Sequence, residues 1–292
     1  MVALPTPSDD PNAEQVKYWN EVAGPLWVAR EEVLDAAISP AGRQAIDAAA
    51  PSAGEHVLDV GCGCGSTTLE LARRVGPTGD VLGIDLSEPM LARARARADA
   101  SGLTNVRFLR ADAQIADLGR ERFDVLYSRV GVMFFADPPA AFSNLRRSLR
   151  RHGRVAFVCW QPVQRNPWML LPALAVGRHL PLPPPDPGAP GPFAFADPDR
   201  VRDVLARSGF SDVAVDGADF SLAVGGGGDL DRATEFTLEV GPAASALRAA
   251  NAGPELRQAV VASVREALAP YERDGAVWMD AAVWLVSAKA RE

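Results

Sequence analysis

The sequence predicts an α/β fold: an open sheet of mostly parallel strands with helices on both faces, an antiparallel edge strand, and helical insertions capping one end. Three observations carry that prediction. Short apolar segments alternate with helical ones from residue 56 to about 160. Those segments are β-branched or continuously apolar, as strands buried on both faces must be. Beyond Cys159 the rhythm changes, and helical stretches flank a late strand.

Residues 1–50 read as an N-terminal helical segment carrying Tyr18, Trp19 and Trp27. In the core, residues 51–160, "HVLDVG", "DVLGIDL", "VRFLRAD", "FDVLYSRV" and "RVAFVCW" read as five strands. Between them, "SEPMLARARARADASG" is a helix with Ser87 as N-cap and Gly102 past its end, and "DPPAAFSNLRRSLRRHG" takes Asp137 as cap, Pro138 at its first position and Gly153 as its stop. Such alternation implies parallel pairing through right-handed crossovers.

Residues 161–195 form an insertion: an apolar helix, then "PLPPPDPGAPGP", in which seven of twelve residues are proline and a stiff, irregular connector is expected. Residues 196–228 hold a helix capped by Asp197 and a strand, "DVAVDGADFSLAV", that four glycines break. Residues 229–275 read as a helical cap, with Leu256, Val260, Val264 and Leu268 spaced by four. Residues 276–292 contain the final strand, "AAVWLVSAKA". No internal repeat interrupts this order.

Composition narrows the function. The 292 residues carry a net charge of −7, which argues against a protein whose main business is gripping phosphate backbones. The arginines of "ARARARAD" and "LRRSLRRHGR" read as solvated helix faces. Three cysteines make no disulfide framework and suggest a reducing compartment. The opening "MVALPTPSDDPNAEQ" lacks the basic end and apolar core of a signal peptide, and no apolar run approaches the roughly 18 residues that span a bilayer. A soluble, cytoplasmic protein is expected.

The chemistry starts at "VLDVGCGCGSTTLELA", where a strand ending at Asp59 runs through Gly61, Gly63 and Gly65 into a helix. A dinucleotide fingerprint needs a third glycine three residues after the second; the two registers offer Ser66 and Thr68 instead. A phosphate loop needs Gly-Lys-Ser/Thr, and no lysine is present. What remains is D-x-G-x-G-x-G. This resembles motif I of the class I S-adenosylmethionine-dependent methyltransferases, a Rossmann-like family, and the resemblance extends over residues 56 to 160.

The resemblance implies S-adenosylmethionine as cofactor, with roles for Asp59, Gly61, Gly63, Gly65, Asp85, Leu86, Asp112, Ala113 and Ser128. Asp85, twenty residues after Gly65, stands where the family grips both ribose hydroxyls; Leu86 would cover an adenine face, and Asp112 with Ala113 would meet the adenine edge. Bare glycines let the amino-acid end approach the backbone, the following helix offers unpaired N–H groups to its carboxylate, and Asp59 suits its ammonium. "YWNEVAGPLW", "SRVGVMFFADP" and "FVCWQPVQRNPW" look like segments of the small-molecule methyltransferases of ubiquinone and menaquinone biosynthesis and their bacterial relatives.

The acceptor leaves fewer traces. "YSRVGVMFF" replaces the Asn-Pro-Pro-Tyr of amino-group methylation of bases or glutamines, and the charge argues against nucleic acid. The helical insertions look like a lid over a small, largely apolar metabolite. Methyl transfer needs a general base only if the acceptor must lose a proton early. His56 and His152 read as structural; His179 is the candidate base, against a plain surface histidine. Arg129 either holds an anionic acceptor or makes a surface salt bridge. Tyr18, Trp19, Trp27, Trp160 and Trp168 either wall the site, where aromatics favour a sulfonium, or form a core stripe. Cys62 and Cys64 have no histidine partners, so no metal is expected. The competing functions are a protein of this fold that binds S-adenosylmethionine without methyl transfer, in cyclisation, decarboxylation or regulation, and an NAD(P)-dependent oxidoreductase.

Overall fold

The computed structural model describes residues 12–182, 186 and 188–291. Residues 1–11 and the proline run 183–185, both used in the reading above, lie outside that range. Three helices come first: α1 (Ala13–Glu21), α2 (Ala23–Ala29) and α3 (Glu31–Ala49). The core then alternates β1 (His56–Val60), α4 (Ser66–Val75), β2 (Asp80–Asp85), α5 (Glu88–Ser101), β3 (Val106–Arg110), β4 (Phe123–Arg129), α6 (Pro138–Ser148) and β5 (Leu149–Trp160). The remainder is α7 (Pro167–Gly177), α8 (Pro198–Arg207), β6 (Phe210–Ala223), α9 (Leu230–Glu239), α10 (Pro242–Ala249), α11 (Pro254–Leu268), a two-residue β7 (Glu272–Arg273) and β8 (Ala276–Ala290).

The sheet order is β3-β2-β1-β4-β5-β8-β6, with β7 paired to β8 alone. Strands β1 to β5 pair in parallel, while β8 runs antiparallel to both β5 and β6, making the hairpin at one edge. The order reverses between β1 and β4. A crevice therefore opens outside the carboxyl ends of those strands, where open α/β sheets bind ligands. The central strands read as continuous apolar runs because both faces are covered: Val57, Leu58, Val81, Val125 and Phe157 are fully buried.

Local signals acted as written at some helix ends and differently at others. Asp137 accepts the Ala140 N–H at 3.0 Å, and Asp197 that of Asp199 at 2.9 Å. Ser87 stands at the N-cap of α5, but its hydroxyl donates to the Trp19 carbonyl at 2.8 Å, and Asn20 accepts the Glu88 N–H instead. Helix α6 ends at Ser148, not Gly153: Leu149 pairs with Phe123, so β5 begins there and takes "LRRHGR" out of the helix. The tertiary pairing won because Leu149 is fully buried against the sheet. The cap is three separate helices, and its expected end at 272–273 is strand.

Two attachments fix what lies above the sheet. Tyr127, fully buried on β4, donates to the Gly42 carbonyl at 2.9 Å and pins α3 across the strand. Arg30 makes a bidentate pair with Glu239, 2.8 Å on each arm, tying the start of α3 to the end of α9. No described helix is long and apolar enough to cross a membrane.

Candidate active site

A cavity of about 430 Å³ occupies the crevice, within the roughly 300–1,000 Å³ usual for small-molecule sites. One side is built by the loops after β1, β2 and β3. Gly61, Gly63, Asp85, Leu86, Asp112 and Ala113 all line it. The other side is built by residues after β4 and β5 and by the insertions: Met133, Phe134, Trp160, Trp168, Met169 and Pro242.

The loop is held from behind by Asp59. Its side chain is fully buried; Oδ2 accepts the hydroxyls of Thr67 at 2.8 Å and Thr68 at 2.7 Å, while Oδ1 has no partner. Burial pushes its carboxyl up to about 6, against those two hydroxyl bonds and the Arg129 charge. Asp59 is thus beneath the loop rather than on the cavity wall. Gly61 needs its bare backbone, since at φ +67° a Cβ would also lie 2.9 Å from Gly131 Cα. Gly65 serves packing, not the cavity: its missing Cβ leaves room for Ala94 and Phe108, 2.9 and 3.0 Å from that position.

Asp85 closes the loop from β2. Its oxygens accept the Gly63 N–H at 2.8 Å and the Ser87 N–H at 2.9 Å. Desolvation raises its pKa while those N–H groups lower it. A carboxylate has about four lone-pair sites, so both oxygens can still take donors from the cavity. Asp112 is oriented by Asn12 Nδ2 at 2.7 Å and by the Gln114 N–H at 2.8 Å. The thiols of Cys62 and Cys64 are driven up by desolvation, that of Cys64 to about 12, so neither is a nucleophile. Among the described residues no cluster of histidine, cysteine and acid side chains could hold a metal ion.

Charges that sequence reasoning missed come from α3. Glu31 and Asp35 line the cavity one helical turn apart. Arg93 reaches Glu31 at 2.5 Å, and Arg97 bonds Glu31 and, at 3.4 Å, Asp35. A signal was present: acids spaced by four on one helix, arginines spaced by four on another. Asn12 was missed also, and nothing local marks it. Arg129 lines the cavity at its base, where its guanidinium meets Asp35 Oδ1 at 2.5 Å. That is a half-buried ion pair, not a surface one.

The five predicted aromatics, Tyr18, Trp19, Trp27, Trp160 and Trp168, all reach the cavity wall. Trp19 packs edge-on against Trp27 and Phe134, and Trp160 against Trp168. Besides Asp59 and Gly65, two predicted residues do not reach it. Ser128 is buried and spends its hydroxyl on the Val60 carbonyl at 2.7 Å, while Val130 and Gly131, just past the end of β4, line the cavity beside Met133 and Phe134. His179 lies past the end of α7, where its Nε2 meets Ser263 Oγ at 2.7 Å on α11; it faces the cap helix, not the cavity. His56 pairs with Asp80 at the opposite end of the sheet.

Comparison with known proteins gives the following. A model of the methyltransferase domain matches residues 57–153. The nocamycin O-methyltransferase of Saccharothrix syringae is 33% identical over 184 residues, which cover 60% of this chain and 65% of that enzyme. The chain therefore spans less than two thirds of that relative's length. The demethylmenaquinone methyltransferase of Thermus thermophilus is 34% identical over 178 residues, 58% of this chain and 80% of the relative. The solved structure of the YcgJ protein of Bacillus subtilis superposes with a TM-score of 0.55 at 18% identity, covering 85% of this chain and 96% of that one, a likeness of fold alone.

Proposed function

The chain belongs to the S-adenosylmethionine-dependent methyltransferases, and from that premise we propose that it transfers a methyl group to oxygen, carbon or nitrogen of a small, largely apolar metabolite. The observation that carries the proposal is the convergence of Gly61, Gly63, Asp85, Leu86, Asp112 and Ala113 on one side of a single cavity whose other side is aromatic. Relatives whose names record an O-methylation and the methylation of demethylmenaquinone support the reading, and leave the acceptor atom open.

The residues suit the cofactor chemically. S-adenosylmethionine supplies an electrophilic methyl group on a cationic sulfur. Asp85, with oxygens only half used, fits a pair of hydroxyl donors. Asp112 and Ala113 offer an acid and a backbone edge to a purine. The Asp35–Arg129 pair presents both signs of charge to a zwitterionic amino-acid end. Aromatic walls favour a neighbouring cation, and Asp59 adds a negative charge beneath the glycine loop. In this reading residues 51–160 hold the cofactor, and the insertions at 161–195 and 229–275 enclose the acceptor. The chain acts in the cytoplasm on a small molecule rather than on nucleic acid, with the net charge of −7 and three free buried thiols in support.

The test is calorimetric titration with S-adenosylhomocysteine, wild type beside Asp85→Ala. Binding that the variant weakens by tenfold or more supports the assignment; label transfer from methyl-labelled S-adenosylmethionine to phenols, quinol precursors and amines then tests catalysis. A wild type that does not bind S-adenosylhomocysteine sinks the proposal.

A further inference from the structure

One face of α5 meets the glycine loop. Met90, Ala94 and Arg97 stand on it at i, i+4 and i+7. Met90 Cε and Ala94 Cβ lie 2.9 Å from where a Cβ on Gly63 and on Gly65 would stand, so these two contacts are apolar and carry no direction. Arg97 adds a directional one: its Nη1 donates to the Cys64 carbonyl at 3.1 Å.

The same guanidinium lies between the acids of α3. Arg97 Nη1 meets Glu31 Oε1 and, at 3.4 Å, Asp35 Oδ2. Glu31 also takes Arg93 at 2.5 Å, and Asp35 takes Arg129 at 2.5 Å. Charges of alternating sign thus run from Arg93 through Glu31, Arg97 and Asp35 to Arg129, joining α5 to α3 and to the end of β4. Glu31, Asp35, Arg129 and Cys64 line the cavity, and Arg97 does not. Its removal would leave each acid with another arginine. The loss would therefore fall on the tie between the loop and α3 rather than on a stranded charge.

Resting on the methyltransferase reading, we propose that Arg97 is a positioning residue for the cofactor: it fixes the Cys64 carbonyl to the acids of α3, so that the glycine loop has its binding shape before the ligand arrives. Asp85 holds the Gly63 N–H from β2 at 2.8 Å, and Arg97 holds the next residue from α5. Cys64 stands between two glycines in the left-handed region, at φ +55° and +81°, where the backbone is otherwise free to take many shapes. Freezing that backbone in advance spares the ligand the cost of ordering it. A hydrogen bond from a charged donor is roughly twice as strong as a neutral one, which suits it to that task.

The experiment measures S-adenosylhomocysteine binding by calorimetry with wild type, Arg97→Met and a control, Arg154→Met. Arg154 is about as exposed as Arg97 and makes at least as many bonds, to Glu55 and to the Ala49 and Ala50 carbonyls, but it does not line the cavity or bond the loop. Arg97→Met should weaken binding about tenfold and Arg154→Met by less than about twofold. Amide exchange in the free proteins gives a second readout. The Gly63 and Gly65 amides should exchange about tenfold faster in Arg97→Met than in wild type, and saturation with S-adenosylhomocysteine should restore their protection. Binding by Arg97→Met within twofold of wild type, an equal loss in the control, or loop amides that exchange alike in both proteins overturns the proposal. Failure of the wild type to bind S-adenosylhomocysteine marks failure of the underlying reading instead. Should Arg97→Met not fold, wild type alone decides: its Gly63 and Gly65 amides must be protected before ligand is added, and free exchange that only S-adenosylhomocysteine stops overturns the proposal.

Discussion

Asp59→Asn removes a charge from the most enclosed position beneath the glycine loop, and the expected effect runs opposite to that of most core substitutions. Asp59 is fully buried, with one oxygen holding two threonine hydroxyls and the other unpartnered. Desolvation lifts its pKa from the ordinary 3.8 to about 6. A carboxyl that binds its proton more tightly in the fold than in the unfolded chain opposes folding once ionised. The penalty is absent below pH 3.8, grows as pH rises, and is complete above about 6. At about 1.4 kcal/mol per pH unit, that gap is worth about 3 kcal/mol.

Asparagine keeps an oxygen for Thr67 and Thr68 and carries no charge, so the variant escapes the penalty. Urea unfolding of both proteins at pH 5 and pH 8 measures it. The stability difference should move in the variant's favour by about 1.5 kcal/mol over that interval, roughly half the full effect. Taking the difference cancels every other titrating group the two proteins share. A difference that stays constant with pH would refute a buried, raised Asp59. Under the proposed function the stabilised variant should also bind S-adenosylhomocysteine more weakly, because the charge attracts the cationic end of that ligand into the adjoining cavity.

Three further substitutions test the scaffold. Gly61→Ala places a Cβ 2.9 Å from the Gly131 backbone at φ +67°, and should cost about 1–3 kcal/mol of unfolding free energy; a loss under about 0.5 kcal/mol would mean that the two loops can separate. Asn166, fully buried, donates to the Gln161 and Ala282 carbonyls at 3.1 Å and accepts the Ala282 N–H at 3.0 Å, stitching β5 to β8. Asn166→Ala orphans those groups and should cost about 2–4 kcal/mol in urea unfolding; an effect below 1 kcal/mol would show that water replaces the amide. Asp137→Ala removes the one side-chain cap of α6 and should lower stability by about 1 kcal/mol, seen as a fall in Tm of several degrees at most.

The succession of strands along the chain, and the loops after β1, β2 and β3 that build one side of the cavity, were legible because both depend on short-range pattern. A strand buried on two faces is apolar throughout, and residues such as Asp85 and Asp112 fall at its carboxyl end by chain position alone. The polar contacts that join the N-terminal helices to these loops were not legible. Asn12 meets Asp112 across 100 residues of sequence, and Ser87 answers to Trp19 across 68, so nothing near any of them in the chain reports the contact. Gly153 illustrates the limit of stop signals: a glycine ends a helix only where no stronger pairing ends it sooner, and Leu149 had already joined the sheet. His179 failed for a similar reason. A histidine on an insertion over the site can face either neighbour, and here the facing partner is Ser263 on the cap.

The glycine triplet shows how a motif can mark the right place while its residues do different work. Gly63 lines the cavity and gives its N–H to Asp85, and at φ +55° a Cβ there would meet only the flexible end of Met90, at 2.9 Å, so its bareness also keeps the cavity beside Asp85 open. Gly61 also lines the cavity, yet what a side chain there would strike first is the neighbouring loop after β4. Gly65 touches the cavity not at all and exists to let α4 settle against Ala94 and Phe108. One spacing thus meets three demands: ligand approach, loop-to-loop contact and helix packing. It follows that replacing each glycine by alanine should not give one phenotype. Gly65→Ala should act on stability alone, through α4 and α5, and Gly63→Ala on stability and, under the proposed function, on cofactor affinity as well, even though the two residues stand only two positions apart.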